Sequence, residues 1–265
     1  MYQTTYVRPG SLAEAQHLLL DNPEATLISG GQTLVPTLRQ RLARPSHLVD
    51  IARIAELHGI ALNGDQVVIG AATTHAEVAG SDLVAGKIPG LASLAGRIGD
   101  PMVRHLGTIG GSIANNDPAA DYPAALVALN ATVHTSKRAI SADDFFTGMF
   151  ETALEPGEIV VRVAFPGPQK SAYEKFHQPA SRFALVGVFV AVLADGAVRV
   201  AITGAGPGVF RATAIEAALG GNFTAEAAES VSISTEGLNA DMHGSAEYRA
   251  ALVPVLAGRA VAAAR

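Results

Sequence analysis

Two glycine pairs flanked by small hydroxyl residues carry the chemistry of this chain. The first stands in Ile28-Ser-Gly-Gly-Gln-Thr-Leu-Val-Pro36. The second opens the run Gly107-Thr-Ile-Gly-Gly-Ser-Ile-Ala-Asn-Asn-Asp-Pro-Ala-Ala-Asp-Tyr-Pro123. Glycine has no Cβ, so its backbone can approach a ligand closely. Successive N–H groups exposed in such a turn form a hollow for an anion, and a pyrophosphate suits it. Thr108 and Ser112 add hydroxyls at the same place. Two such segments point to two clamps on one long phosphorylated cofactor.

The two segments differ in weight. Gly30-Gly31 with Gln32 and Thr33 is equally compatible with a plain strand-to-helix turn. It is neither a Walker loop, since no Gly-Lys-Ser/Thr follows, nor a G-x-G-x-x-G fingerprint. The second segment holds more than a turn requires, with Asn115, Asn116, Asp117 and Asp121 close behind the glycines. A side chain at Gly110 or Gly111 is expected to stand where the pyrophosphate lies. Asp121 can accept from ribose hydroxyls or from polar groups of a flavin ring; its plainer role is a charge at a helix N-terminus. Because a helix entry tolerates Asn, its charge is expected to serve a ligand rather than folding.

Other chemistries find no support. The eight histidines, at 17, 47, 58, 75, 105, 134, 177 and 243, show no metal-ligand spacing and read as surface or satisfied core residues. No Gly-x-Ser-x-Gly elbow is present. Lys175, in Ala172-Tyr-Glu-Lys-Phe176, reads as a solvated charge on a strand edge. No metal site and no protein acid–base catalyst is expected.

The elements that must position these residues alternate along the chain. Ser11-Leu-Ala-Glu14 is a capping box, so a helix is expected over about 12–21. A short strand at 26–28 runs into the first glycine pair, and a helix is expected over 37–43. Asn63-Gly64 between apolar runs predicts a hairpin with a type I′ turn. Helices are expected over 74–85, 88–98 and 119–129, with the second glycine segment as a loop between the last two. Asp195-Gly196 predicts a second hairpin with long strands, and an alanine-rich helix over about 245–264 is expected to bend at Pro254. Pro166-Gly-Pro-Gln-Lys-Ser171 reads as a linker between units 1–167 and 168–265. The order of elements gives an α+β fold with an antiparallel sheet in its last third.

Composition narrows the class. The 265 residues are 49% hydrophobic, enough for a sizeable core, yet Trp is absent and aromatics make up only 5%. Ala, Val, Leu and Gly must therefore do most of the packing. A net charge of -5 without any Lys/Arg block argues against nucleic acid as a partner. The absence of cysteine excludes thiolate-held zinc and iron–sulfur clusters on this chain. The first residues lack the apolar core of a signal peptide. The longest apolar run, 183–194, falls short of the roughly 20 residues of a membrane span. A cytoplasmic protein without a membrane span is expected.

At its motifs the sequence resembles the FAD-binding medium subunits of molybdenum hydroxylases, the group that includes aerobic carbon monoxide dehydrogenase and xanthine dehydrogenase-type enzymes. The matching pieces are Ser29–Pro36, Ile69-Gly-Ala-Ala-Thr-Thr-His75, Gly107–Ala114, Asp117-Pro-Ala-Ala-Asp121, Thr152-Ala-Leu-Glu-Pro-Gly-Glu-Ile159, Lys175-Phe176 and Ser181–Val188, in order over nearly the whole chain. The resemblance implies a fold of the p-cresol methylhydroxylase/vanillyl-alcohol oxidase type. Its FAD lies between two lobes, about 1–55 and 56–167, followed by a C-terminal domain, 168–265. It places Ile28, Ser29, Gly30, Gly31, Gln32, Thr33, Leu34, Val35 and Pro36 along one side of the pyrophosphate. Thr108, Ile109, Gly110, Gly111 and Ser112 fall on the other. It carries Asp121, Ile98, Val160 and Lys175 over as further FAD-contacting positions; ordinary core packing also accounts for Ile98 and Val160. Phe183 stands where some relatives carry a Tyr near the flavin.

The resemblance also implies partners: a large molybdopterin subunit and a small subunit with [2Fe–2S] clusters, assembled as a dimer of heterotrimers. Electrons would pass from the clusters to this FAD and on to an external acceptor. Two other functions fit the same residues. One is a stand-alone flavoenzyme similar to the UDP-N-acetylmuramate-forming reductases, although no proton donor is evident. The other is a scaffold that has lost its flavin, against which the intact glycine pairs argue.

Overall fold

A computed structural model describes residues 1–265. The first lobe is a three-stranded parallel sheet. His47–Asp50 lies in its centre, flanked by Thr5–Val7 and Thr26–Ile28. Parallel neighbours need crossovers, and the helices Leu12–Asp21 and Leu34–Arg39 supply them. Ser11 caps the first of these through the Glu14 amide at 3.2 Å. The Glu14 carboxylate reaches back to the Gly10 amide instead of Ser11, at 2.7 Å. The helix expected at 37–43 begins earlier and ends at Arg39, and Arg41 takes the left-handed conformation (φ 61°) just beyond it.

The second lobe is a five-stranded antiparallel sheet in the order Ile60–Asn63, Gln66–Gly70, Val160–Pro166, Thr132–Thr135, Ala139–Ser141. The 63–66 hairpin forms, with Asn63 opposite Gln66 and only Gly64 at positive φ (59°). A type I′ turn needs two such residues, so the expected turn type is corrected. Six helices lie between the second and fourth strands of this sheet: His75–Ala79, Asp82–Lys87, Pro89–Gly96, Pro101–Leu106, Ile109–Asn115 and Tyr122–Ala128. The helix expected over 74–85 is broken at Gly80–Ser81, where Ser81 caps a new helix.

The C-terminal sheet is antiparallel: Lys170–His177, Ala184–Val192, Val198–Thr203 and Phe210–Arg211. Its side chains alternate between two cores, as the period of a strand requires. Val186, Val188, Val190, Val200 and Ile202 face the helices Thr213–Gly221, Ala225–Glu229 and Ala246–Ala263. Tyr173, Phe189, Ala191 and Ala201 belong to the large core of the second lobe, with Leu91, Leu94 and Tyr122. Burial on both faces is why 184–191 read as an unbroken apolar run. The last helix continues through Pro254 as one element. No helix is long and apolar enough to cross a membrane.

One buried carboxylate fixes the junction of strands and turns. Glu158 accepts from Arg138 at 3.1 Å, from the Thr135 hydroxyl at 2.6 Å and from the Glu155 amide at 2.8 Å. Burial alone would raise its pKa, but the hydrogen bonds and the charge of Arg138 outweigh that and bring it to about 2. A carboxyl held below its unfolded value stabilises the fold above that value, and the contribution is lost as pH falls toward the folded one. Stability is therefore expected to drop between about pH 4.5 and pH 2. Glu158→Gln should remove about 1–2 kcal/mol of that dependence, a figure discounted for the 44% exposure of Arg138. Urea midpoints taken at intervals down to pH 2.5 check this; identical acid limbs in the two proteins would refute it.

Candidate functional site

A cavity of about 750 Å³ runs between the two lobes, a size typical of ligand sites. On the first lobe it is floored by the segment that leaves strand Thr26–Ile28. None of the backbone amides of Ser29, Gly30, Gly31, Gln32, Thr33 and Leu34 donates a hydrogen bond within the chain. Successive unpaired amides of this kind make an anion-binding concavity. Gly31 shapes it, with φ at 68°, where a side chain is strained. Gly30 has a different task. A Cβ on it would lie 2.7 Å from the Cα of Gly107, so the two glycine segments touch backbone to backbone. The Thr108 hydroxyl donates across this contact to Ser29 Oγ at 3.3 Å.

The second glycine segment is the first turn of the helix Ile109–Asn115 and not a loop. Thr108 is its N-cap, accepting from the Gly111 amide at 3.2 Å. The Ile109 and Gly110 amides donate to the Thr73 and Ala71 carbonyls at 3.1 and 2.8 Å, and the Ser112 amide to the Thr108 carbonyl. The hollow of free N–H groups expected on both segments is therefore present only on the first. Gly110 allows the helix to lie on Ala71, where a Cβ would stand 2.6 Å from Ala71 Cβ. Gly111 faces open space apart from Thr108 Oγ1, 3.0 Å from a Cβ built on it.

Of the residues named from sequence, Ile28, Ser29, Gly30, Gln32, Thr33, Leu34, Ile98, Thr108, Gly110, Gly111, Ser112, Asp121 and Val160 line this cavity. Gly31, Val35, Pro36, Ile109 and Lys175 do not. Val35 and Pro36 lie on the exposed side of their helix, and Ile109 is sealed in the large core. Lys175 lies behind the wall. It is no solvated edge charge: its side chain is 2% exposed, and its Nζ stands 2.9 Å from Asp121 Oδ1, itself 5% exposed. Its ammonium also donates to the Arg97 and Arg182 carbonyls, at 2.8 and 3.0 Å.

Asp121 thus sits in a buried network; it also stands at the N-cap of Tyr122–Ala128, the helix terminus expected for it, without making a capping hydrogen bond. The Tyr173 hydroxyl donates to the same Oδ1. Burial pushes the Asp121 carboxyl up, against the pull of Lys175, Tyr173 and Arg97. Arg97 completes the connection by donating to the Tyr173 carbonyl at 2.9 Å and the Lys175 carbonyl at 3.2 Å. The segment before Asp121 is held by the C-terminal sheet, with the Thr203 hydroxyl donating to the Ala120 carbonyl at 2.6 Å. Tyr173 and Arg97 were missed in the sequence, though Tyr173 stands two residues before Lys175 and must share its face of the strand.

Three further placements matter. His75 lines the cavity at 5% exposure. Asn115 lines it too, whereas Asn116, left-handed at φ 43°, ties the helix end to the Gly148 and Glu151 carbonyls at 2.8 and 2.7 Å. Phe183 stands half-exposed on the rim with Ser181 and Arg182. No cluster of His, Cys, Asp and Glu suited to a metal is formed.

The sequence agrees with known proteins over its whole length. Residues 2–168 match the FAD binding domain in molybdopterin dehydrogenase, and residues 171–264 the CO dehydrogenase flavoprotein C-terminal domain. The chain is 35% identical to the carbon monoxide dehydrogenase medium chain of Hydrogenophaga pseudoflava, across 98% of this chain and 96% of that one. It is also 35% identical to the nicotine 6-hydroxylase medium subunit of Paenarthrobacter nicotinovorans, across 97% and 95%. Among solved structures, it superposes on a chain of quinoline 2-oxidoreductase from Pseudomonas putida 86 with a TM-score of 0.89 at 32% identity, covering 99% of this chain and 96% of that one. Matched by both domains and 35% identical to such a subunit over nearly its whole length, the chain belongs to the FAD-carrying medium subunits of the molybdenum hydroxylases.

Proposed function

We propose that the interlobe cavity holds FAD with its pyrophosphate on the unpaired amides of Ser29–Leu34, and that the Thr108–Ser112 turn closes over it from the second lobe. The observation that carries this reading is the run of amides that donate to nothing within the chain. Charged phosphate oxygens are the acceptors such donors suit. Gly111 leaves open space beside the cradle. Asp121 uses Oδ1 for Lys175 and Tyr173, so Oδ2 is left to accept from an N–H or hydroxyl of the cofactor. Ile98 and Val160 add apolar wall, while Gly31, Val35, Pro36, Ile109 and Lys175 act from behind by shaping the turn, the helix and the buried pair.

Bound FAD supplies exchange between one-electron and two-electron carriers. The chain's own task is to bind, orient and shield it, and no residue here is assigned an acid–base step. Electrons come from [2Fe–2S] clusters on a small partner subunit, reduced in turn by the molybdopterin centre of a large one. They leave through FAD to an external acceptor. In this reading 1–167 is the FAD-binding unit of the p-cresol methylhydroxylase/vanillyl-alcohol oxidase type, with lobes 1–55 and 56–167. The unit 168–265 buttresses Asp121 and offers surface to the partners. The complex is a cytoplasmic dimer of heterotrimers.

The purified chain is expected to be yellow, with stoichiometric FAD that is released by heat. It should hydroxylate no heterocycle, aldehyde or carbon monoxide alone. Mixing with its large and small subunits should restore substrate-dependent reduction of the flavin. Hydroxylation by the lone chain, free of molybdenum, would overturn the assignment; a colourless chain unable to take up FAD would overturn the site.

A further inference from the structure

We propose that His75 is a positioning donor for the cofactor, presenting Nε2–H to a phosphate oxygen from beneath the Gly107–Thr108 turn. The inference rests on the FAD reading of the cavity. It begins from an unsatisfied group. His75 is 5% exposed, and its Nδ1 is fully enclosed without a hydrogen-bond partner. Buried polar groups without partners are rare in folded proteins, and an enclosed Nδ1 leaves only the other ring nitrogen to meet a ligand in the cavity that His75 lines.

The backbone fixes where the ring points. Thr74 caps the helix His75–Ala79 in a reciprocal box with Glu77, so His75 is its first residue. The His75 amide donates to the Gly107 carbonyl at 2.9 Å, and Thr74 bridges to Thr108 in antiparallel register. The ring thereby lies against the turn that opens the second glycine segment. A Cβ on Gly107 would come within 2.6 Å of Nε2, so only glycine lets the turn pack this close to that ring edge.

The ring's protonation is set by its surroundings. Burial, helped by the charge of Arg104, holds the imidazole pKa down at about 4, so the ring is neutral near pH 7 and carries one N–H. Its neighbour is Tyr122, with ring centroids 5.4 Å apart. The Tyr122 hydroxyl is likewise enclosed without a partner, and burial raises its pKa, so it keeps its proton. No acceptor lies within hydrogen-bond reach of Nδ1, so a proton there would be a buried donor left unpaired; the imidazole proton therefore belongs on Nε2, the edge at Gly107. Without ligand a neutral ring suits this position, since a buried imidazolium would lack a counter-charge.

The test uses the full chain labelled with ¹⁵N at histidine. Long-range ¹H–¹⁵N spectra distinguish the two neutral tautomers, and the His75 signals are identified by their loss in His75→Gln. Binding of each ligand is followed separately by flavin fluorescence or calorimetry. The expected result is a neutral Nε2–H ring whose Nε2 shifts with FAD and with ADP, both of which carry the diphosphate, and does not shift with riboflavin. His75→Phe keeps the ring volume without the donor and should weaken FAD binding about tenfold to a hundredfold. An Nδ1–H tautomer, or an Nε2 that stays put while FAD demonstrably binds, overturns this inference alone. Failure of the wild-type chain to bind FAD overturns the cavity reading and this inference together. The wild-type spectra decide the matter even if His75→Phe does not fold.

Discussion

Lys175→Met is expected to cost the folded chain about 3–5 kcal/mol, the usual penalty for leaving one member of a buried ion pair alone. It should also strip the protein of flavin. The ammonium uses its donors on Asp121 and on the Arg97 and Arg182 carbonyls, and a methionine supplies none. The orphaned Asp121 carboxyl must then take up a proton to stay buried. Its folded pKa already lies above the ordinary value because of burial, and loss of Lys175 raises it further. A carboxyl raised on folding stabilises the native state only below its unfolded pKa, and that contribution is lost as pH rises through the folded one. The urea midpoint of Lys175→Met should accordingly fall from pH 5 to pH 8. Asp121→Asn combined with Lys175→Met removes both charges and should recover much of the stability without that slope. A Lys175→Met protein within about 0.5 kcal/mol of the parent at pH 8 would mean that the pair is not a structural tie. The same geometry corrects the expectation that Asp121→Asn spares folding: this variant should melt earlier than the parent even without flavin.

The neighbouring glycines Gly110 and Gly111 should fail in different ways. Gly110→Val drives a side chain into Ala71, whose carbonyl oxygen and Cα would lie 2.7 and 2.9 Å from the new Cβ. Backbone cannot step aside as a flexible side chain can, so more than about 3 kcal/mol of stability should be lost, whether or not FAD is present. Gly111→Val meets only the Thr108 hydroxyl. The apo protein should unfold near the parent's midpoint, while FAD binding weakens about tenfold to a hundredfold as the isopropyl group enters the proposed pyrophosphate space. Thermal melts of the apo proteins beside FAD titrations separate the two. A Gly111→Val protein that retains stoichiometric flavin would count against the proposed site.

Local rules reached some of this architecture and missed the rest for identifiable reasons. The Ser11 cap, the strand at 26–28 and both hairpins follow from signals within a few residues. The second glycine segment read as a loop because glycine is a poor helix former; only contact with Ala71 explains why glycine stands in a helix there. Lys175 read as exposed because an isolated lysine usually is. Its partner lies 54 positions earlier in the chain, beyond the reach of any window. His75 carries no metal-ligand spacing in the sequence, and an unsatisfied ring nitrogen appears only once burial is known.

The double-faced C-terminal sheet sets a rule for recombining such subunits. Alternate residues of Ala184–Val192 belong to different cores, so a seam at the 166–171 connection would divide a set of side chains that packs as one. Chimeras joined there from two relatives would pair one parent's Tyr173 and Phe189 with the other's Leu91 and Leu94. A workable exchange moves the outer helices and the outward-facing valines together, and leaves the inward-facing residues with the lobe they complete.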